Sequence, residues 1–193
     1  MLDKIILIGG GGHCRSVIDI IELENRFQIA GIVDKPELLH TSILDYKVIG
    51  TDDDLPSLFK KYKYALITIG QIKSPELRIN LFNKLKELGF IMPVIISPRA
   101  YVSKYSSIAE GTVVMHDVLI NSNSIIGANC IINNKALVEH DCEIGNSCHL
   151  STGVIINGGT IVENGCFVGS NATSKEAVKI SEKSFIKAGS IFK

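Results

Sequence analysis

From Ile126 to Leu150 the chain reads Ile126-Gly127-Ala128-Asn129-Cys130-Ile131-Ile132-Asn133-Asn134-Lys135-Ala136-Leu137-Val138-Glu139-His140-Asp141-Cys142-Glu143-Ile144-Gly145-Asn146-Ser147-Cys148-His149-Leu150. An aliphatic residue returns every six positions, and a small residue follows each by four places, as at Cys130, Ala136, Cys142 and Cys148. The step continues in both directions. Between Val102 and Ile186, fourteen of fifteen such positions are aliphatic, Ser174 being the exception, and Phe192 extends the series. All fifteen partners four residues on, from Ser106 to Ser190, are small. Gly, Asn or Asp, which tolerate a left-handed corner, stands three places after the aliphatic residue in ten of the fifteen hexads.

This period is that of a hexapeptide-repeat parallel β-helix. The large aliphatic residue points inward from a flat side, and the small one fills the corner beside it. Three hexads make a triangular coil of 18 residues, and coils stack about 4.8 Å apart. The count from 102 to 191 gives about five coils. Composition agrees: 30 Ile and 13 Val against 6% aromatics and no Trp suit a thin, repetitive core. Cys130, Cys142, Cys148 and Cys166 all occupy the small corner position, spaced by the repeat and not by a metal-ligand loop, so no metal is expected.

Before Pro98 the pattern is different. Lys4–Ile8 reads as a buried strand, followed by Gly9-Gly10-Gly11-Gly12 and a helix from near His13 whose apolar face is Val17, Ile18 and Ile21. Further strands are expected at 27–33, 46–49 (a short edge strand), 65–69 and 91–95. Helices are expected after Asp52-Asp53-Asp54 and from Pro75-Glu76 to Gly89. Such alternation predicts a small Rossmann-like α/β domain over 1–97, followed by a β-helix domain over 98–193.

The charge balance, 20 basic against 20 acidic residues, argues against a protein built to neutralise a nucleic acid or an anionic membrane. No apolar run approaches the length of a membrane span. Five cysteines and no signal peptide predict a reduced, cytoplasmic protein.

The chemistry-bearing residues are few. His140 lies between Glu139 and Asp141, an arrangement that suits a general base or a solvated surface, and the residues alone leave both open. His40 and His116 read as surface, and Cys14 has no assigned role. Gly9 to Gly12 after a strand suit a diphosphate at a helix start, although the G-x-G-x-x-G spacing is incomplete. Asp34, ending the second strand, suits a ribose. So small a half-site favours a nucleotide-sugar over NAD, and no hydride-transfer site is evident.

The chain resembles the sialic acid O-acetyltransferase and nucleotide-sugar N-acetyltransferase family. The likeness rests on Ile8-Gly9-Gly10-Gly11-Gly12-His13, Gly31-Ile32-Val33-Asp34, Ile69-Gly70 with Arg78, and above all Val138-Glu139-His140-Asp141-Cys142-Glu143-Ile144-Gly145 followed by His149. It departs from the family pattern at Cys14, where a glycine is usual. The resemblance implies a left-handed β-helix, against the right-handed crossover rule. It also implies a homotrimer with active sites between subunits, and acetyl-CoA as co-substrate. His140 would be the base for the C4 amine of a UDP-linked amino-dideoxy sugar, with Asp141 or Glu139 orienting it. Gly9, Gly10, Gly11, Gly12, His13, Asp34, Gly70 and Asn133 would hold the acceptor. His149 would contact the thioester, with Gly158, Gly159, Gly169 and Ser170 along the donor groove. The competing expectations are O-acetylation of sialic acid or a related nonulosonate, and a non-catalytic sugar-binding or scaffold β-helix.

Overall fold

The computed structural model describes residues 2–193, and the chain divides into two compact units, Met1–Gly70 with Asn80–Pro93, and Gln71–Ile79 with Val94–Lys193. In the first unit, β1 (Asp3–Ile8), β2 (Phe27–Val33), β3 (Ser42–Ile43), β4 (Tyr46–Gly50) and β5 (Tyr64–Ile67) form one sheet in the order β3-β4-β2-β1-β5. Among the described residues of this sheet only the β3–β4 pair is antiparallel. Three α-helices join the strands: α1 (Gly12–Glu24), α2 (Leu55–Phe59) and α3 (Glu76–Leu88), whose first turn belongs to the second unit. The core is aliphatic because β1 lies inside the sheet, flanked by β2 and β5: Ile5 to Leu7 are 0% exposed. Alpha-1 buries Cys14, Val17, Ile18, Ile20 and Ile21 and ends at Asn25 in the left-handed conformation.

The fold differs from the sequence expectation at two places. The edge of the sheet is Ser42–Ile43 and not Tyr46–Gly50, because a left-handed Leu44 turns the chain back into a hairpin. The 91–95 segment is not a strand of this sheet. Ile91 makes a lone bridge to Tyr64, Pro93 lacks the N–H that would continue it, and Ile95–Ile96 instead pairs with Val113–Val114. Ile96 lies six residues before Val102 and so obeys the repeat one hexad earlier than the sequence series began.

The second unit is a left-handed β-helix of two-residue strands stacked on three flat faces. The first face carries 101–102, 119–120, 137–138, 155–156, 173–174 and 191–192; the second carries 107–108, 125–126, 143–144, 161–162 and 179–180. The third carries 95–96, 113–114, 131–132, 149–150, 167–168 and 185–186. This is between five and six turns, and successive strands of each face pair in parallel at a spacing of 18 residues, with one gap at Ile156 and Ser174. Inward positions such as Ile120, Ile132, Val138, Leu150 and Ile156 are 0% exposed.

The corners explain the repeat. Fourteen of the fifteen corner residues have positive φ, including Lys135, Ser147, Ala177 and Lys183, which carry no side-chain reason to adopt it. The stacked backbone ladder imposes that conformation at about 1–2 kcal/mol per non-glycine residue. Thr112, Cys130, Cys148 and Cys166 form one corner column, and each cysteine thiol meets a backbone carbonyl.

Ser174, the break in the aliphatic series, is 1% exposed and locally interrupts the ladder, where only Ile155 and Thr173 pair. Its hydroxyl accepts the Asn157 N–H at 2.7 Å, and its carbonyl accepts the Asn157 side-chain amide. Replacing it with Ala leaves that half-buried N–H without its acceptor. Ser174→Ala is therefore expected to lose about 1–3 kcal/mol in chemical denaturation despite becoming more apolar; a stabilised variant would contradict this account.

Candidate functional site

At the carboxyl edge of the first unit's sheet, the ends of β1, β2 and β5 bring the predicted acceptor residues other than Asn133 together, the place where open α/β sheets bind ligands. Gly9 has φ +99 and its N–H donates to the Val33 carbonyl at 2.8 Å. The Thr68 hydroxyl donates to the Gly9 carbonyl, a contact with no forewarning in the sequence. The Gly10 N–H donates to Asp34 Oδ2 at 2.6 Å, and Asp34 Oδ1 accepts the Lys35 N–H at 2.7 Å. Asp34 thus braces the loop with both oxygens. Gly11 and Gly12 face open space at the start of α1, which has no side-chain cap. The half-buried His13 lies beside Gly70. Cys14 turns into the core, where burial pushes its thiol up to about 11 and leaves it inert.

In the β-helix the remaining predicted residues separate onto two corners. One lies between the first and second faces and carries Glu139, His140, Asp141, Gly158 and Gly159. His140 Nδ1 lies 2.7 Å from Asp141 Oδ2, and because a carboxylate only accepts, Nδ1 donates, so that in the neutral ring Nε2 keeps its lone pair. Asp141 has φ +59, and this corner turn directs its carboxylate to the preceding imidazole. Its other oxygen accepts Asn123 Nδ2 at 2.6 Å, while Glu139 accepts Asn121 Nδ2 at 2.8 Å. Asp141, not Glu139, therefore contacts the ring. That hydrogen bond, with the charges of Asp141, Glu139 and Glu176, holds His140 above the ordinary imidazole range. Asn123 and then His140 hold Asp141 below the carboxylate range.

Gly158 stands directly against this histidine. A Cβ on Gly158 would lie 2.8 Å from His140 Cε1 and 2.9 Å from Nε2. The ring occupies the space of the missing side chain, and the Gly159 N–H donates to the His140 carbonyl at 3.0 Å. Asn121, Asn123 and Glu176 were not anticipated, yet each lies 18 or 36 positions from a residue that was.

The other corner, between the third and first faces, carries Asn133, Gly169 and Ser170, with His149 on the adjoining strand. His149 is 7% exposed, and burial pushes it below the ordinary imidazole range. Its Nδ1 meets the Gln71 carbonyl and its Nε2 lies 3.2 Å from Asn133 Nδ2. Its ring stands edge-on to Phe167 at 5.2 Å. Ser170 pairs with Ser151 at 2.9 Å, and Gly169 lies under the Ala188 backbone, where a Cβ would come within 2.5 Å. His116, expected as plain surface, is half-buried and bonded to Ser97 at 2.8 Å, whereas His40 is exposed.

Among the described residues, no group of three or more His, Cys, Asp or Glu is arranged to hold a metal, and no helix is long and apolar enough to cross a membrane.

Residues 4–85 match the family described as the PglD N-terminal domain. No curated protein matches the chain. Among solved structures, the chain is similar to the acetyltransferase domain of PglB from Neisseria gonorrhoeae FA1090, with 25% identity, a TM-score of 0.89, and 97% of this chain and 90% of that one covered. The same domain in complex with acetyl coenzyme A gives 27% identity, a TM-score of 0.88, and coverage of 98% and 90%. PerB from Caulobacter crescentus, in complex with CoA and GDP-perosamine, gives 27% identity, a TM-score of 0.70, and coverage of 100% and 95%.

The contact between Gly158 and His140 is directly testable. Gly158→Ala is expected to swing the imidazole away and break its bond to Asp141. The His140 pKa, followed by NMR titration, should fall toward the ordinary value of about 6.5. An unchanged pKa would show that the glycine does not seat the ring.

Proposed function

We propose that this chain is an acetyl-CoA-dependent N-acetyltransferase acting on an amine of a nucleotide-linked sugar, a reading supported by its hexapeptide-repeat β-helix and by its likeness to acetyltransferase structures holding acetyl coenzyme A or CoA. The observation that carries the chemistry is His140, 61% exposed, with Nδ1 tied to Asp141 and Nε2 set against Gly158. An ammonium cannot attack a thioester. His140 Nε2 takes the proton of the sugar amine as its nitrogen bonds to the acetyl carbon, and the C–S bond breaks to release the CoA thiolate. Asp141 keeps the tautomer and stabilises the imidazolium that forms. No covalent enzyme intermediate is invoked, since Cys148 near His149 is 0% exposed and points into its corner. Proximity within a ternary complex does the rest.

The acceptor we infer is a UDP-linked 4-amino-4,6-dideoxy sugar, acetylated at the C4 amine, its nucleotide end at Gly9 to Gly12 and His13. Asn133 positions the sugar. The open amides of Gly11 and Gly12 at an uncapped helix start suit a diphosphate.

We further infer a homotrimer whose sites are completed by neighbours. The first face exposes Tyr101, Leu119 and Ile191, and the second exposes Ile125 and Ile161, on either side of the His140 corner. A chain packed against these faces brings its own Asn133 and His149 corner to that histidine. Light scattering is expected to return three times the 21.0 kDa chain mass. A monomer at micromolar concentration contradicts this.

Turnover is expected from a thiol-release assay across UDP-linked amino sugars, GDP-linked amino sugars and free nonulosonates, with the UDP-linked amines preferred. His140→Ala should lose about 10²-fold or more in turnover while retaining acetyl-CoA affinity. Activity should fall with acid through a pKa above the imidazole reference, since a raised pKa keeps the base protonated to higher pH. Asp141→Asn should move that limb to lower pH and slow the reaction. Near-normal turnover in His140→Ala, or an acid limb unmoved by Asp141→Asn, contradicts the base assignment.

A further inference from the structure

His149 invites reading as a second ligand-contacting histidine, but its surroundings give it different work. Gln71, 3% exposed, is anchored by donating its side-chain N–H to the Ser147 carbonyl at 2.8 Å. Arg78, 1% exposed, holds the same segment by donating to Asn129 Oδ1 at 2.8 Å. The Gln71 carbonyl is thereby fixed against His149 Nδ1. A carbonyl oxygen has lone pairs only, so Nδ1 carries the proton. The ring is neutral in its buried position, so Nε2 is an acceptor, and the group facing it is Asn133 Nδ2. The orientation of that amide is fixed from its other side as well, because Asn133 Oδ1 accepts the Asn134 N–H at 2.8 Å. One Asn133 N–H remains.

We propose that His149 is a positioning residue: locked as the Nδ1–H tautomer by the Gln71 carbonyl, it accepts one N–H of Asn133 and aims the other at the acceptor sugar. The inference rests on the reading above that Asn133 faces that sugar. It departs from a role in which His149 itself donates to the thioester oxygen, since Nε2 has no proton to give. The relay runs Gln71 C=O, His149, Asn133.

The test is a double-mutant cycle on the full chain, read as kcat by thiol release, with Asn133→Ala, His149→Phe and the pair. Phenylalanine keeps a ring against Phe167 and removes both nitrogens. Each single variant is expected to lower kcat by about 10- to 100-fold, the cost of a misaimed group. The double variant should be no slower than Asn133→Ala within about twofold, because His149 acts only through Asn133. His149→Gln, which retains a donor and an acceptor, should recover most of the loss. Multiplicative losses in the double variant mean that His149 touches substrate itself and overturn the proposal. An Asn133→Ala enzyme with normal kcat overturns the reading of Asn133 beneath it. Nitrogen-15 NMR of the wild-type chain gives a measurement independent of variant folding: a protonated Nδ1 and a bare Nε2 are expected, and a proton on Nε2 overturns the relay.

Discussion

Everything distinctive in this molecule depends on a left-handed backbone corner repeated every six residues. The corner is costly for most residues, and a single one in isolation would not persist. It persists because each strand pairs with the strand 18 residues before and after it, so the conformation of one corner is held by the corners above and below. Glycine and asparagine ease the turn where they occur, but Lys135 and Ala177 turn equally at φ +59 and +54. The inward aliphatic column supplies the burial that offsets this strain, and thin corners lined with Cys, Ala, Ser and Thr let the coil close.

The same stacking makes chemistry out of register. A side chain on one rung meets those 18 positions away, so Asn123, Asp141 and Gly159 share a column, as do Ser122, His140, Gly158 and Glu176. Asp141 is clamped between Asn123 below and His140 beside it, and Gly158 above supplies the gap into which the imidazole settles. Three residues on three successive coils thus orient one nitrogen. The stack also separates functions. Inside one chain the His140 corner and the Asn133 corner are divided by a whole face, so the proposed reaction needs a second chain to bring them together.

The period of six, the inward series and the small corner series were legible because a stacked coil has no alternative way to bury them. Harder to read were corners without glycine or asparagine, since their conformation comes from neighbours and not from their own side chains. Ile96 escaped the series because Pro98 suggested a boundary, although it keeps the step. At the site, His140 stood out by its flanking carboxylates, but the choice of Asp141 over Glu139 required the corner geometry that turns one toward the ring and leaves the other to Asn121. Asn123 was recoverable by subtracting 18 from Asp141. Gln71 was not recoverable at all, because it acts through a backbone carbonyl that any residue carries.

The central claim is that an active site in this protein joins the His140 corner of one chain to the Asn133 corner of another. Subunit complementation tests it most directly. Chains carrying His140→Ala and chains carrying Asn133→Ala, each expected to be at least about 10-fold slower alone, are co-expressed, purified as mixed oligomers and assayed for thiol release with acetyl-CoA and the acceptor sugar. The account predicts that mixed oligomers regain a substantial part of the wild-type rate, because some sites then receive an intact corner from each chain. Mixed oligomers no more active than the two variants alone would show that each chain carries its site by itself.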